Sequence, residues 1–341
     1  MSLKMKKVFP FLLLITIFLS ACNLPNIPGL GQKSSNGNYW ITLNNNGPAT
    51  PTPFLPVGED LSSEQLPTSE SENNPAPTLP VQKRPEGQVN ILILGSDWRP
   101  TGGYRTDVFM LLSLYPNQGT ASIISFPRDL YVNLPGIGNQ RINVAQAYGG
   151  FDLTNAMLEE NFNVTADHYI MTNFDGFKNI INSLGGIDVN VGITLSDHCE
   201  LPQGGPSKTC TVYPGINYMN GETALWYVRS RYSTSDLDRT RRAQEVMLAL
   251  FSKMMSLDAV SRAPELYNLY SNTVETDMTI GDIIPMVPLA SELINDTSKM
   301  RRYAIGINEV TPTVLPASGA QVLLPNYDAI QSLINQSAFT P

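Results

Sequence analysis

A chain of 341 residues, 42% of them hydrophobic, has enough apolar material for one large folded domain or two small ones. Its formal charge of −8 excludes a general nucleic-acid binder, which needs a basic face to release counterions. Only His168 and His198 are available for histidine-based catalysis, and no GxSxG, HExxH or Walker GxxxxGK[ST] motif occurs, so serine-hydrolase and zinc-hydrolase chemistry is poorly provided for.

The chain opens with Lys4, Lys6 and Lys7, an apolar run from Val8 to Leu19, and then Leu19-Ser20-Ala21-Cys22, in the order of an export signal. A transmembrane helix needs about 20 apolar residues, and Asn23, Pro25 and Pro28 end this run too soon. Leu-Ser-Ala-Cys resembles the lipobox of bacterial lipoproteins, which implies removal of residues 1–21 and a diacylglycerol on Cys22. An extracytoplasmic protein held on the cell membrane by a lipid follows. Residues 22–87 are dominated by Pro, Asn, Ser, Thr and Gly and are too poor in bulky residues to offset chain entropy, apart from a short patch at Tyr39 to Leu43. They are expected to form a disordered tether, with the folded domain spanning 88–341.

Val89 to Gly95 is a short apolar run ended by glycine, as in a buried strand, and Val108 to Tyr115 and Thr120 to Phe126 repeat the pattern. Leu130 to Leu134 continues the third after Pro127. A helix is expected at Leu153 to Asn161 with Asp152 as N-cap, and another at Phe174 to Leu184, stopped by Gly185-Gly186. Strands are expected at His168 to Met171 and Ile187 to Val191. Asn220 is positioned to cap a helix through Tyr227, and a longer helix runs from about Leu237 to Ser256. Pro285 and Pro288 limit the next helix, and Tyr303 to Ile307 and Gln321 to Leu324 close the chain as strands. Alternating strands and helices specify an α/β layered domain.

In an oxidising compartment Cys199 and Cys210 pair by default, and closing so short a loop contributes about 3 kcal/mol. A metal site at His198 and Cys199 lacks the second ligand pair it would need. After residue 87 arginines outnumber lysines, with Arg99, Arg105, Arg128, Arg229, Arg231, Arg239 and Arg242 among them. The arginine fork suits phosphate. Asp97 follows the first strand, Arg105 and Asp107 open the second, and Arg128 follows the third, at strand ends where α/β sheets gather ligands. Asp97 and Asp107 could hold magnesium (or manganese) with phosphate oxygens and water completing the shell. On one regular helix Arg229 and Arg231 would diverge by roughly 200°, so they share a ligand only if the helix ends between them. Arg239 and Arg242 face the same way, whereas Arg241 is expected to be solvated.

The series Asn90 to Asp97, Arg105-Thr106-Asp107, Ser125-Phe126-Pro127-Arg128-Asp129, Arg141-Ile142-Asn143, Ala147 to Gly150, Asn173 to Phe177, Leu184 to Val189, Leu225 to Arg231 and Asp238-Arg239 through Gln244 resembles the LytR-CpsA-Psr domain. The core motifs cover residues 89–255. The resemblance implies a mixed β-sheet flanked by helices, an apolar tunnel for a polyprenyl chain and a charged mouth for its pyrophosphate. It also implies a phosphotransferase that moves a glycopolymer from a polyprenyl-pyrophosphate carrier to peptidoglycan, with pyrophosphatase activity as a side reaction. Carried over residue by residue, Asp97 and Asp107 are the metal-associated carboxylates, and Arg105, Arg128, Arg229, Arg231 and Arg239 bind the pyrophosphate. Asp107, Arg105 and Arg229 then carry the catalysis, with Asp107 a candidate to accept the proton of the incoming hydroxyl.

Two departures stand out. Members of the family usually carry a transmembrane helix where this chain has the lipobox, and the family's glutamine four residues after Arg239 is here Ala243. Gln244 is rotated by about 100° from that position on a helix. The alternative is a lipid-anchored protein that binds polyprenyl phosphate or glycan without turning it over; a surface protein whose charges form only ion-pair networks would show no phosphate affinity.

Overall fold

A computed structural model describes residues 83–98, 103–231, 236–255 and 273–341. The export signal, Cys22, nearly all of the expected tether, Arg99 and the Tyr232–Ser235 turn lie outside the described residues.

The centre is a six-stranded mixed sheet of β1 (Val89–Ser96), β2 (Thr106–Tyr115), β3 (Thr120–Ser125), β6 (His168–Asn173), β11 (Val274–Thr276) and β12 (Met300–Ala304), in the order β11-β6-β1-β2-β3-β12. β1–β2, β2–β3 and β6–β11 are antiparallel, while β1–β6 and β3–β12 are parallel. Both faces are covered, which is why these strands read as continuous apolar runs rather than strict alternations. Leu92 and Leu94 of β1 face one core, shared with α1 (Ala145–Phe162) and α6 (Tyr327–Ala338). Ile91 and Ile93 face the other, against Met278 and against Leu289 and Leu293 of α5 (Val287–Asn295).

A second layer holds α2 (Phe174–Ser183), β7 (Ile187–Val191), β10 (Gly215–Met219), α3 (Gly221–Arg229) and α4 (Asp236–Met254), joined through Ile181, Val189, Met219, Tyr227 and Val246. Asn220 caps α3 as expected, accepting from the Thr223 amide at 2.9 Å. Gly185 and Gly186 both have positive φ, and a Cβ on Gly186 would run into the Tyr218 ring, so glycine is required at this helix stop.

Several local expectations are corrected. Residues 131–134 do not extend β3; they form β4 (Tyr131–Leu134), which pairs with β5 (Gly138–Arg141) in a separate hairpin. The break before the second helix falls at Gly149–Gly150, ahead of Asp152, which is exposed inside the helix instead of capping it. The Pro- and Gly-rich stretch around the cysteines contains a hairpin, β8 (Leu195–His198) with β9 (Thr209–Val212). Near the C-terminus β13 (Val310–Val314) pairs with β14 (Gln321–Pro325).

Candidate active site

The register of β1 and β2 runs one to one as far as Gly95 opposite Val108, then slips so that Ser96 faces Thr106. Asp107 is the extra residue of this bulge, a device that re-aims one side chain out of the ladder. Just beyond it, Asp97 and Arg105 close the strand end reciprocally. The Asp97 amide donates to the Arg105 carbonyl at 2.9 Å, and the Arg105 amide donates to Asp97 Oδ1 at 2.7 Å.

Two arginines from other elements converge on Asp107. Arg128, which follows β3, donates from Nη1 to Asp107 Oδ1 at 2.9 Å. Arg239, from α4, places Nη1 3.9 Å from Oδ2 and donates from Nη2 to the Asp107 carbonyl at 3.3 Å. Both arginine side chains are only 9% exposed. Burial pushes the Asp107 carboxyl up, but the charges of Arg128, Arg239 and Arg105 and the Arg128 hydrogen bond outweigh it and hold the group below the usual carboxylate range. Asp107 is therefore an ionised anchor inside a cationic cluster.

The end of α3 answers the question of divergence. Ser230 leaves the helix with ψ at 135°, so Arg229 is the last helical residue and Arg231 lies beyond the break. The Arg229 guanidinium lies over the Phe174 ring, 4.3 Å from its centroid, and Arg231 is buried. Arg242, grouped with Arg239 by periodicity, has another job. It is fully enclosed, and its guanidinium donates to the carbonyls of Tyr227 and Ser230 and, at 3.0 Å, to Asp238 Oδ2. This is a side-chain cap on the last carbonyls of α3, where a cation also suits the helix dipole. Arg241 is not simply solvated either: it is paired with Asp238 and Glu245.

Ala243 is buried beside the cluster, and with Asp107, Ser125, Arg239 and Thr240 it lines a narrow recess. Gln244 does not take the place of the missing glutamine. Its amide is engaged by Ser125 Oγ and the Tyr303 carbonyl, both at 2.7 Å, which ties α4 to β3 and β12. Asp129 and Arg141 also belong to the site, since Asp129 lies between the Arg128 and Arg141 guanidinium groups. The Pro127-Arg128-Asp129 and Arg141-Ile142-Asn143 motifs were the signals for these two.

Among the described residues no group of three or more His, Cys, Asp and Glu side chains is arranged to hold a metal. Asp97 Oδ1 already accepts the Arg105 amide, and Asp107 Oδ1 accepts from Arg128. Cys199 and Cys210 are joined, their Cα atoms 5.7 Å apart. Their hairpin meets α3, where Trp226 Nε1 donates to the His198 carbonyl at 2.9 Å, and its Leu195 and Val212 share a core cluster with Val246 of α4.

Known proteins share this architecture. The chain is 32% identical over 211 residues to the polyisoprenyl-teichoic acid–peptidoglycan teichoic acid transferase TagT of Bacillus subtilis, covering 60% of this chain and 64% of that one. It is 34% identical over 203 residues to the TagU transferase of Oceanobacillus iheyensis, covering 57% and 60%. The match thus spans somewhat less than two thirds of these relatives. Among solved structures, Bacillus subtilis TagV superposes with a TM-score of 0.61 at 26% identity, over 74% of this chain and 98% of that one. A structure described as TagT bound to LIIa-WTA superposes at 0.56 with 25% identity, over 74% and 91%. The LytR_cpsA_psr family matches residues 59–332, and the chain belongs to that family.

Proposed function

We propose that this protein transfers a glycopolymer from a polyprenyl-pyrophosphate carrier to peptidoglycan, from a position outside the cell membrane where Cys22 carries a lipid. The observation that supports this most is the convergence of Arg128 and Arg239 on Asp107, next to Arg105, at the ends of β1, β2 and β3. In phosphoryl transfer little covalent work falls to the protein, and positioning with charge stabilisation supplies most of the rate.

Without substrate, Asp107 occupies the arginine forks. An entering pyrophosphate offers the guanidinium a similar pair of anionic oxygens and exchanges with Asp107. Arg105, Arg128, Arg229, Arg231 and Arg239 then bind the pyrophosphate oxygens. An acceptor sugar hydroxyl attacks the phosphorus that bears the glycan. A new P–O bond forms, the bond to the bridging oxygen breaks, and the lipid monophosphate leaves while the hydroxyl proton passes to a base. Asp107 is available as that base because it is ionised, although its depressed basicity makes its charge the more useful property. Magnesium held by Asp97 and Asp107 would supply charge neutralisation at the pyrophosphate.

The test incubates the purified protein with a polyprenyl-pyrophosphate-linked saccharide, a peptidoglycan oligosaccharide and magnesium, and follows products by mass spectrometry. A phosphodiester-linked product and lipid monophosphate are expected, and chelation is expected to abolish both. Asp97→Ala and Arg229→Lys should each lower the rate at least about tenfold, roughly 1.4 kcal/mol. Tight binding of the carrier lipid with no cleavage under any metal would establish the non-catalytic alternative instead.

A further inference from the structure

The ion pairs of the site continue past Asp107. Arg128 directs Nη1 to Asp107 at 2.9 Å and has Nε 3.4 Å from Asp129 Oδ2, so one guanidinium spans two carboxylates. The other oxygen of Asp129 faces Arg141 Nε at 3.3 Å. Charge therefore alternates through Arg141, Asp129, Arg128, Asp107 and Arg239.

The outer end of this chain of charges is braced from a distant part of the sequence. The Leu323 amide of β14 donates to the Asp129 carbonyl at 2.9 Å, and Leu130 forms a bridge with Leu323. Arg141 Nη2 donates to the Gln321 carbonyl of the same strand at 2.8 Å. The C-terminal hairpin thus fixes both the backbone that carries Asp129 and the side chain that faces it.

We propose that Asp129 is a positioning residue for Arg128, and that Arg141 and β14 hold Asp129 in place; this rests on the assignment of Arg128 to phosphate binding made above. An anion arriving at Arg128 has to replace Asp107 at Nη1. During that exchange the Nε edge stays against Asp129, and the plane of the guanidinium is preserved for two-pronged recognition. Asp107 is the partner that is exchanged, and Asp129 is the one that remains.

Positioning and simple electrostatics make opposite predictions, which gives the test its power. Asp129→Asn removes a negative charge beside the site, so field effects alone would tighten anion binding. Loss of orientation would weaken it. Calorimetry of the full-length protein with inorganic pyrophosphate is expected to show about tenfold weaker binding for Asp129→Asn, with partial recovery in Asp129→Glu and a melting temperature close to that of the unmodified protein. In an Arg128→Ala background Asp129→Asn is expected to add nothing, because the residue acts through Arg128. Equal or tighter binding by Asp129→Asn, or the same loss with and without Arg128, would overturn the proposal. Turnover of the polyprenyl substrate is measured in parallel: a protein that binds pyrophosphate without turnover defeats the proposed reaction but leaves the Asp129 result standing. If the unmodified protein binds no pyrophosphate, both fail.

Discussion

Replacing Arg242 with methionine removes a charge and a fork of donors while keeping much of the side-chain volume. The guanidinium is fully enclosed and serves the Tyr227 and Ser230 carbonyls at the end of α3. Each buried acceptor left without a donor costs about 1–3 kcal/mol. Loss of a cation at the helix C-terminus adds up to about 1 kcal/mol. Asp238 is not orphaned, because Arg241 still reaches it at 2.6 Å. Against these losses stands relief of the desolvation that depresses the Arg242 pKa. The net expectation is a loss of about 2–4 kcal/mol in equilibrium urea unfolding with the disulfide intact. Arg241→Met is expected to cost less, since Glu245 keeps the Tyr227 hydroxyl at 2.6 Å and the Gly192 amide at 3.2 Å. A change below about 0.5 kcal/mol for Arg242→Met, or a larger one for Arg241→Met, would refute the assignment of Arg242 as the cap on α3.

Asp107→Asn should abolish most turnover and change the pH dependence of stability. Because the folded pKa of Asp107 is depressed, its contribution is fully present above the unfolded value of about 3.9 and is lost as pH falls through the folded value. The stability difference between the unmodified protein and Asp107→Asn, measured by urea unfolding, should therefore be flat above about pH 5 and shift only below about pH 4; a change centred near neutrality would contradict the depressed value. Replacing Cys199 and Cys210 together by serine should cost about 3 kcal/mol of stability and leave turnover at low temperature nearly intact, since neither cysteine is among the residues that converge on Asp107. Cys22→Ala should release the protein from membranes in a fractionation assay, and continued membrane retention would remove the lipid-anchor proposal.

The parts legible in the sequence were those set by local rules. β1, β2 and β3 announced themselves as apolar runs, Asn220 as a cap, and Gly185-Gly186 as a stop, because each depends on neighbours along the chain. The charged residues at the strand ends also came together as expected, since ends of adjacent strands in one sheet are close whatever the rest of the fold does. The bulge at Asp107 was not legible, because register belongs to a pair of strands and leaves no mark on either one. The β8–β9 hairpin was hidden by a composition that favours turns, yet its pairing closes across Asp197 and Cys210. Helical periodicity put Arg239 and Arg242 on one face and could not separate their roles. One turn toward the C-terminus moves a side chain from the strand ends, where its target is Asp107, to the end of α3, where its targets are backbone carbonyls. The same limit applies to Asp129, whose support comes from residues 321 and 323: the motif placed it next to Arg128, but only the return of β14 to that loop shows why a carboxylate is held there.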